Sequence, residues 1–239
     1  MLLQRRISVY ERYIKRLLDI ICSLLAIIVF FWLYIIIAII VRIKMGSPVL
    51  FKQPRPGIIK NGKETIFDMY KFRSMTDARD ENGNLLPDDQ RLPKFGLWLR
   101  RTSLDELPEA FNILKGDMSV IGPRPQLVRD MVFMSDEQRM RHTARPGLSG
   151  LAQVMGRNSI SWEEKLNWDI KYIQNVSFLN DVNIILMTVK KVFGHNESTE
   201  ELDVTIDYGD ALLKEGKVSL EEYNNLQKKA IALMSERNH

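Results

Sequence analysis

The 239 residues carry a net charge of +4, a single cysteine and 45% hydrophobic positions. One cysteine, Cys22, excludes a disulfide framework and any cysteine-based metal centre. The modestly basic balance suits anionic lipids or phosphate-bearing substrates, and without a basic tract or aromatic-basic array it argues against nucleic acid.

Residues 20–41 (IICSLLAIIVFFWLYIIIAIIV) form an almost unbroken apolar run. As a helix it would be about 33 Å long, enough to cross a bilayer core. It exceeds a signal-peptide core and has no small-residue cleavage site behind it. Arg5, Arg6, Arg12, Lys15 and Arg16 precede the run, and Arg42, Lys44, Lys52 and Arg55 follow it. Positive flanks prefer the cytoplasmic side, so charge favours a helix that enters and returns on one face. No glycine or proline lies between Ser23 and Tyr34 to break such a helix, which favours a straight span. These residues leave both topologies open.

After Gly46-Ser47-Pro48 the composition becomes that of an α+β domain. Val49–Phe51 reads as a short strand, and Ile58–Phe72 as a hairpin turning at Asn61-Gly62. Lys71 and Arg73 fall two apart, so both should share one face, gripping a diphosphate or simply meeting solvent. Thr76–Lys94 reads as a long polar loop. Its DENG stretch fails as a calcium loop, because the first ligand position falls on Ala78.

The chemistry concentrates in Arg100–Pro125, RRTSLDELPEAFNILKGDMSVIGPRP. Ser103 with Glu106 fits a capping box, and Gly116 fits a helix stop. Pro108 would then interrupt the helix, a conflict that disappears if the helix begins at Pro108 instead. In either register Asp105 and Glu106 sit by the positive end of a helix dipole, near Arg100 and Arg101. Asp105 should there stay ionised and could attack phosphorus while Glu106 holds a divalent cation. The plain alternative is that Glu106 caps the helix and Asp105 solvates its start.

Further on, Gln126–His142 is expected to be helical and residues 145–150 a turn-rich loop, with Gln153–Asn158 supplying amide and guanidinium groups. Ser161 and Glu164 should cap a helix that turns Trp162, Leu166, Ile170 and Ile173 inward, with Asp169 beside that stripe. Val182–Phe193 is amphipathic and fits either a membrane surface or a core. From His195 the chain reads as an acidic loop and two short helices, an appended interaction module without chemistry. No glycine-rich phosphate loop, dinucleotide fingerprint, Cys/His cluster or Asp-x-Asp occurs.

Five ordered blocks, YKFRSM (Tyr70–Met75), SLDELP (Ser103–Pro108), NILKGDMSVIGPRP (Asn112–Pro125), RPGLSGLAQVMGRN (Arg145–Asn158) and SFLNDVNI (Ser177–Ile184), carry a specific likeness. From about Tyr13 to Phe193 the chain resembles the small monotopic phosphoglycosyl transferases of bacterial glycan assembly, which include the campylobacter N-glycosylation initiating enzyme.

The resemblance implies a membrane-anchoring, re-entrant helix in 1–45. A mostly helical cytoplasmic catalytic domain with a small β-hairpin and amphipathic interface helices follows in 46–194; the helical extension in 195–239 lies outside the resemblance. The likeness implies transfer of a sugar-1-phosphate from a UDP-sugar to polyprenyl phosphate at the inner membrane, with Asp105 as nucleophile and Glu106 completing a dyad around Mg²⁺. Lys71, Arg73, Arg124, Arg145, Gln153, Asn158 and Asp169 would bind substrate, and membrane lipids, a second copy or downstream glycosyltransferases would be partners. The family's Ser-Pro helix break is replaced here by Phe31-Trp32. The rival reading is a catalytically silent membrane adaptor, against which the intact Asp-Glu pair and basic blocks argue.

Overall fold

The apolar N-terminal run is not one helix. In the computed structural model, which describes residues 5, 7–156, 160–193 and 206–236, α1 (Lys15–Val29) and α2 (Phe31–Met45) meet at Phe30 with a bend of 64°. No single helix among the described residues is long and apolar enough to cross a membrane, and this bent pair passes only when taken together. The break needs no proline. Phe30 leaves the helical region at φ −97°, ψ 12°, and its carbonyl accepts from the N–H groups of both Leu33 and Tyr34, at 2.9 and 3.1 Å. Ser23 does bond back to the Ile20 carbonyl at 3.1 Å, yet α1 runs on past it, so that hydroxyl is not the break.

β1 (Leu50–Lys60) and β2 (Lys63–Phe72) form the hairpin, with Asn61 and Gly62 at φ 52° and 78° in its turn. β1 is longer than the expected short strand, because a two-stranded ribbon is all edge and tolerates Pro54 and Pro56. The remaining elements are α3 (Asp88–Arg91), α4 (Lys94–Arg101), α5 (Glu109–Lys115), β3 (Ser119–Ile121), α6 (Val128–Met131) and α7 (Asp136–Arg139). They are followed by β4 (Gly147–Ser149), α8 (Leu151–Met155), α9 (Trp162–Gln174), α10 (Phe178–Phe193), α11 (Tyr208–Lys214) and α12 (Leu220–Glu236). The helix expected over Gln126–His142 is instead α6, α7 and a 3₁₀ turn at Met140–Thr143, with a capping box at Ser135 starting α7.

The chain divides into two compact units, one of Met1–Asp19, Pro54–Phe67 and Gly116–His239, the other of Ile20–Gln53 and Asp68–Lys115. The second unit packs Ile37, Val41 and Met45 of α2 with Phe72 and Leu99, joined by Leu104 and Leu107. Gly96 is required there: a Cβ on it would lie 1.8 Å from the Ser74 carbonyl oxygen.

The first unit is built on Ile121, Ala144, Val154, Tyr172, Ile173 and Ile184. β3 and β4 pair in parallel, Ser119 opposite Gly147 and Ile121 opposite Ser149, where the sequence pattern gave only turns. A Cβ on Gly122 would stand 2.3 Å from the Arg145 carbonyl oxygen, and one on Gly147 would stand 2.1 Å from the Gly122 nitrogen. The GPRP and RPGLSG blocks are therefore two halves of one structure, and their glycines permit the close approach.

Asp181 of α10 accepts hydrogen bonds from Lys15, at 2.6 Å, and from Tyr10 and Tyr172, both at 2.8 Å. Arg5 pairs with Glu11 and donates to the Ile173 carbonyl at 2.7 Å, so two of the flanking cations serve as anchors within this unit. The capping box of α9 is present as expected, its Ser161 hydroxyl accepting from the Glu164 N–H. α10 turns Asp181 and Ile184 inward and leaves Leu179, Leu186, Val189 and Val192 exposed. The C-terminal helices pack on α6: the Tyr208 N–H donates to Asp130 at 2.9 Å, Arg129 pairs with Asp207, and Ala230 is fully buried against Val128 and Met131.

Candidate active site

Asp105 and Glu106 lie in a 3₁₀ turn, Leu104–Glu106, just ahead of α5. Ser103 adopts a left-handed conformation at φ 53° and its side chain caps nothing, so the capping box does not form. The register in which the helix starts after Pro108 is the one observed, and Gly116 stops α5 at φ 94°. The carboxylates are thus set in a tight turn by sequence-local features: an αL residue before them and a proline behind.

Lys71 reaches this turn from β2. Its Nζ lies 2.7 Å from Glu106 Oε1 and 3.3 Å from Glu109 Oε1. Asn112, fully buried, clamps α5 to β2 by accepting from the Tyr70 N–H at 2.9 Å and donating to the Asp68 carbonyl at 2.7 Å. The Tyr34 hydroxyl donates to the Leu107 carbonyl at 2.6 Å, tying α2 to the same turn.

Burial raises the Asp105 pKa from 3.8 to about 6; Lys71 and Arg100 pull it down, while Glu106 pushes it up. The helix dipole was expected to keep this carboxyl well ionised. With only seven residues in α5 and Asp105 8% exposed, desolvation outweighs any such field.

Arg73 departs from expectation. β2 ends at Phe72, so strand alternation does not carry past it. The Arg73 guanidinium donates to the Ser47 carbonyl at 2.7 Å and the Met75 carbonyl at 2.9 Å, and pairs with Asp77. It braces loops rather than joining Lys71.

The other basic residues belong to the first unit. The Arg124 carbonyl accepts from Arg141 Nη2 at 2.6 Å, and Arg145 Nε donates to the Gly116 carbonyl at 3.1 Å. Asp169 is 1% exposed and takes both Nε and Nη2 of Arg141, at 2.9 and 2.6 Å, through Oδ2. It is a buried brace for Arg141, which in turn holds the Arg124 backbone. Gln153 Nε2 donates to the Leu148 carbonyl at 3.0 Å, within its own block. Asn158 lies outside the described residues.

Comparison with known proteins decides the family, since residues 10–195 match the model of the bacterial sugar transferases. The chain belongs to the bacterial sugar transferase family. It is 46% identical over 179 residues to the uncharacterized sugar transferase EpsL of Bacillus subtilis, covering 75% of this chain and 87% of that one. It is 38% identical over 192 residues to the galactosyl transferase CpsE of Streptococcus agalactiae, covering 74% and 42%. It is 35% identical over 199 residues to the undecaprenyl-phosphate galactose phosphotransferase of Salmonella typhimurium, covering 76% and 41%. The chain therefore spans most of EpsL but only about two fifths of the other two relatives.

Three buried polar residues of this sugar transferase are not singled out by the sequence motifs. Glu109 and Asn112, two polar side chains on the inner face of the seven-residue α5, leave a usable signal in the helix pattern. Arg141 leaves none, because its partner Asp169 is 28 residues away. Glu64, His142 and Arg139 form a further buried network. Burial would raise the Glu64 pKa, but hydrogen bonds from His142 and Arg139 hold it far below the usual carboxylate range. Burial lowers His142 to about 4, so the ring is neutral at pH 7.

Proposed function

We propose that the chain transfers a sugar-1-phosphate from a UDP-sugar to polyprenyl phosphate, releasing UMP. The observation that carries this is the buried Asp105 beside Glu106, with the Lys71 ammonium lodged between Glu106 and Glu109. The Salmonella relative, named as an undecaprenyl-phosphate galactose phosphotransferase, supports the same class of reaction.

In the first half-reaction an ionised Asp105 oxygen attacks the sugar-bearing phosphorus. The bond to the bridging oxygen breaks, and UMP departs with that oxygen and its electron pair. In the second, a polyprenyl phosphate oxygen attacks the same phosphorus and frees the Asp105 carboxylate. A carboxyl with its pKa at about 6 is mostly ionised at pH 7 and poorly solvated, the combination a nucleophile needs. Lys71 holds the neighbouring carboxylates.

Asp105 and Glu106 are two hard oxygen donors that would hold Mg²⁺ together with substrate phosphates, whose charge it would neutralise.

The exposed apolar faces of α1 and α2, including Leu25, Ile28, Phe31, Trp32, Ile39 and Ile43, exceed what a water-soluble surface carries and support insertion of the bent pair into a bilayer. Entry and return on the cytoplasmic face would keep the site with cytoplasmic nucleotide sugars. This would be the first membrane step of a surface-glycan or glycoprotein pathway.

The test is UMP release from a panel of UDP-sugars with polyprenyl phosphate present. Release with one or a few sugars is expected. No release with any sugar, from folded protein with Mg²⁺, would leave the adaptor reading.

A further inference from the structure

Tyr34 belongs at once to the break between α1 and α2 and to the turn that carries Asp105. Its backbone N–H donates to the Phe30 carbonyl at 3.1 Å, where the two helices part. Its hydroxyl donates to the Leu107 carbonyl at 2.6 Å. The ring between them is held by Phe72, with centroids 6.0 Å apart, and edge-on by Phe111, at 5.7 Å. Leu104 and Leu107 pack with it on the core of Ile37, Val41 and Leu99. All of these residues lie in the second unit, as do Asp105 and Lys71.

The turn has little bonding of its own. The Glu106 N–H reaches the Ser103 carbonyl at 3.2 Å and the Leu107 N–H reaches the Leu104 carbonyl at 3.4 Å, at and beyond the long end of the normal range. Pro108 has no N–H to add a third bond. Ser103, just ahead of the turn, stands in the left-handed region at φ 53°, which a non-glycine residue holds only when its surroundings support it. The short bond to the turn is therefore the one that arrives from outside it, on α2. Helix formation does not require that bond, since the Leu107 carbonyl already accepts from the Ala110 N–H at 3.1 Å. Core packing does not require it either, because a phenylalanine would fill the same aromatic niche. What the hydroxyl adds is a fixed position for the end of the turn.

We propose that Tyr34 is a positioning residue for the transfer reaction, tying the Asp105–Glu106 turn to the break at Phe30 so that the bent helix pair sets where the nucleophile stands. This rests on the reaction proposed above and gives its nucleophile a support on α2. Misplacing a reacting group by about 1 Å can cost about a hundredfold in rate. Loss of the hydroxyl should accordingly appear in the rate of attack and not in nucleotide affinity.

The test uses the full chain in nanodiscs, as wild type, Tyr34→Phe, Tyr34→Leu, and with Tyr34 replaced by para-aminophenylalanine, whose aryl amine restores a donor. The first turnover of UMP release is timed at saturating UDP-sugar and polyprenyl phosphate, UDP binding is titrated, and amide hydrogen exchange is measured over residues 104–107. Tyr34→Phe should slow the first turnover about tenfold or more and speed exchange at Glu106 and Leu107, with UDP binding within twofold of wild type. The aryl amine should recover most of both losses. Tyr34→Leu should be slowed at least as much and should also unfold at a lower temperature, having lost the ring contacts. A first turnover in Tyr34→Phe within twofold of wild type would overturn the proposal and leave Tyr34 as packing. So would a loss confined to the amplitude of UMP release at an unchanged rate, which marks fewer folded molecules. If wild type releases no UMP, faster exchange in Tyr34→Phe would leave Tyr34 as the support of the turn while the transfer reading falls, and unchanged exchange would remove both.

Discussion

Replacing Asp105 with asparagine should make the protein more stable while abolishing turnover, and the size of the gain follows from the site. The folded carboxyl titrates at about 6 against an ordinary 3.8. At about 1.4 kcal/mol for each pH unit, ionising it inside the fold costs about 3 kcal/mol. Below pH 4 it is protonated both folded and unfolded and contributes nothing. Between pH 4 and 6 only the folded chain keeps the proton, so stability falls as pH rises, and above 6 the cost is complete. Asparagine carries no charge but gives up about 1 kcal/mol of hydrogen bonding. Asp105→Asn should then exceed wild type by about 2 kcal/mol at pH 8, roughly 4–8 °C in Tm for a chain this size, and fall slightly below it near pH 4, where the ionisation cost is mostly gone and the lost hydrogen bonding remains. Thermal unfolding in nanodiscs at the two pH values measures this, and titration of other groups cancels in the difference. An asparagine variant no more stable than wild type at pH 8, or a gain that does not vary with pH, would refute desolvation as the dominant influence on Asp105.

Lys71→Ala removes a cation that holds the Asp105 pKa down, so the acid limb of the kcat/KM profile should move to higher pH. Transition-state stabilisation should also fall by about 1.5–3 kcal/mol; an unmoved limb would separate Lys71 from the nucleophile. Glu106→Gln should flatten the magnesium titration of activity, and unchanged curves would leave Glu106 as a partner of Lys71 alone. His142 binds its proton at about 4 rather than 6.5, so acidification from 6.5 to 4 should cost stability that a His142→Asn variant does not lose. Equal acid sensitivity in both proteins would show that His142 is not the group responsible. Single cysteines at Ser8 and Ser47 in a Cys22→Ser background should both resist an impermeant maleimide in intact cells. Labelling at Ser8 alone would mean a straight span.

How much of this was legible in the sequence depended on the range of the interaction. The hairpin turn at Asn61-Gly62, the stop at Gly116 and the capping box at Ser161 are settled within four residues, and all three are present. The break at Phe30 was not legible, because no residue there forbids a helix. The Ser103 capping pattern misled, since Pro108 fixes the helix start and Ser103 turns left-handed instead. The pairing of Asp169 with Arg141 was not legible, because a buried partner distant in sequence leaves no periodic trace. The β3–β4 pair was hidden in glycine-rich turns whose glycines serve close backbone approach. The pairing of Asp105 with Glu106 was legible as chemistry, but the burial that raises the Asp105 pKa was not.

The central claim is a covalent phosphosugar on Asp105. Intact-mass spectrometry of wild-type protein given its UDP-sugar and Mg²⁺ without lipid acceptor should show the mass of one sugar phosphate added, with UMP released and the adduct lost when polyprenyl phosphate is supplied. Asp105→Asn should show no added mass. An adduct that persists in Asp105→Asn, or UMP that appears only when acceptor is present and with no adduct in wild type, would contradict it.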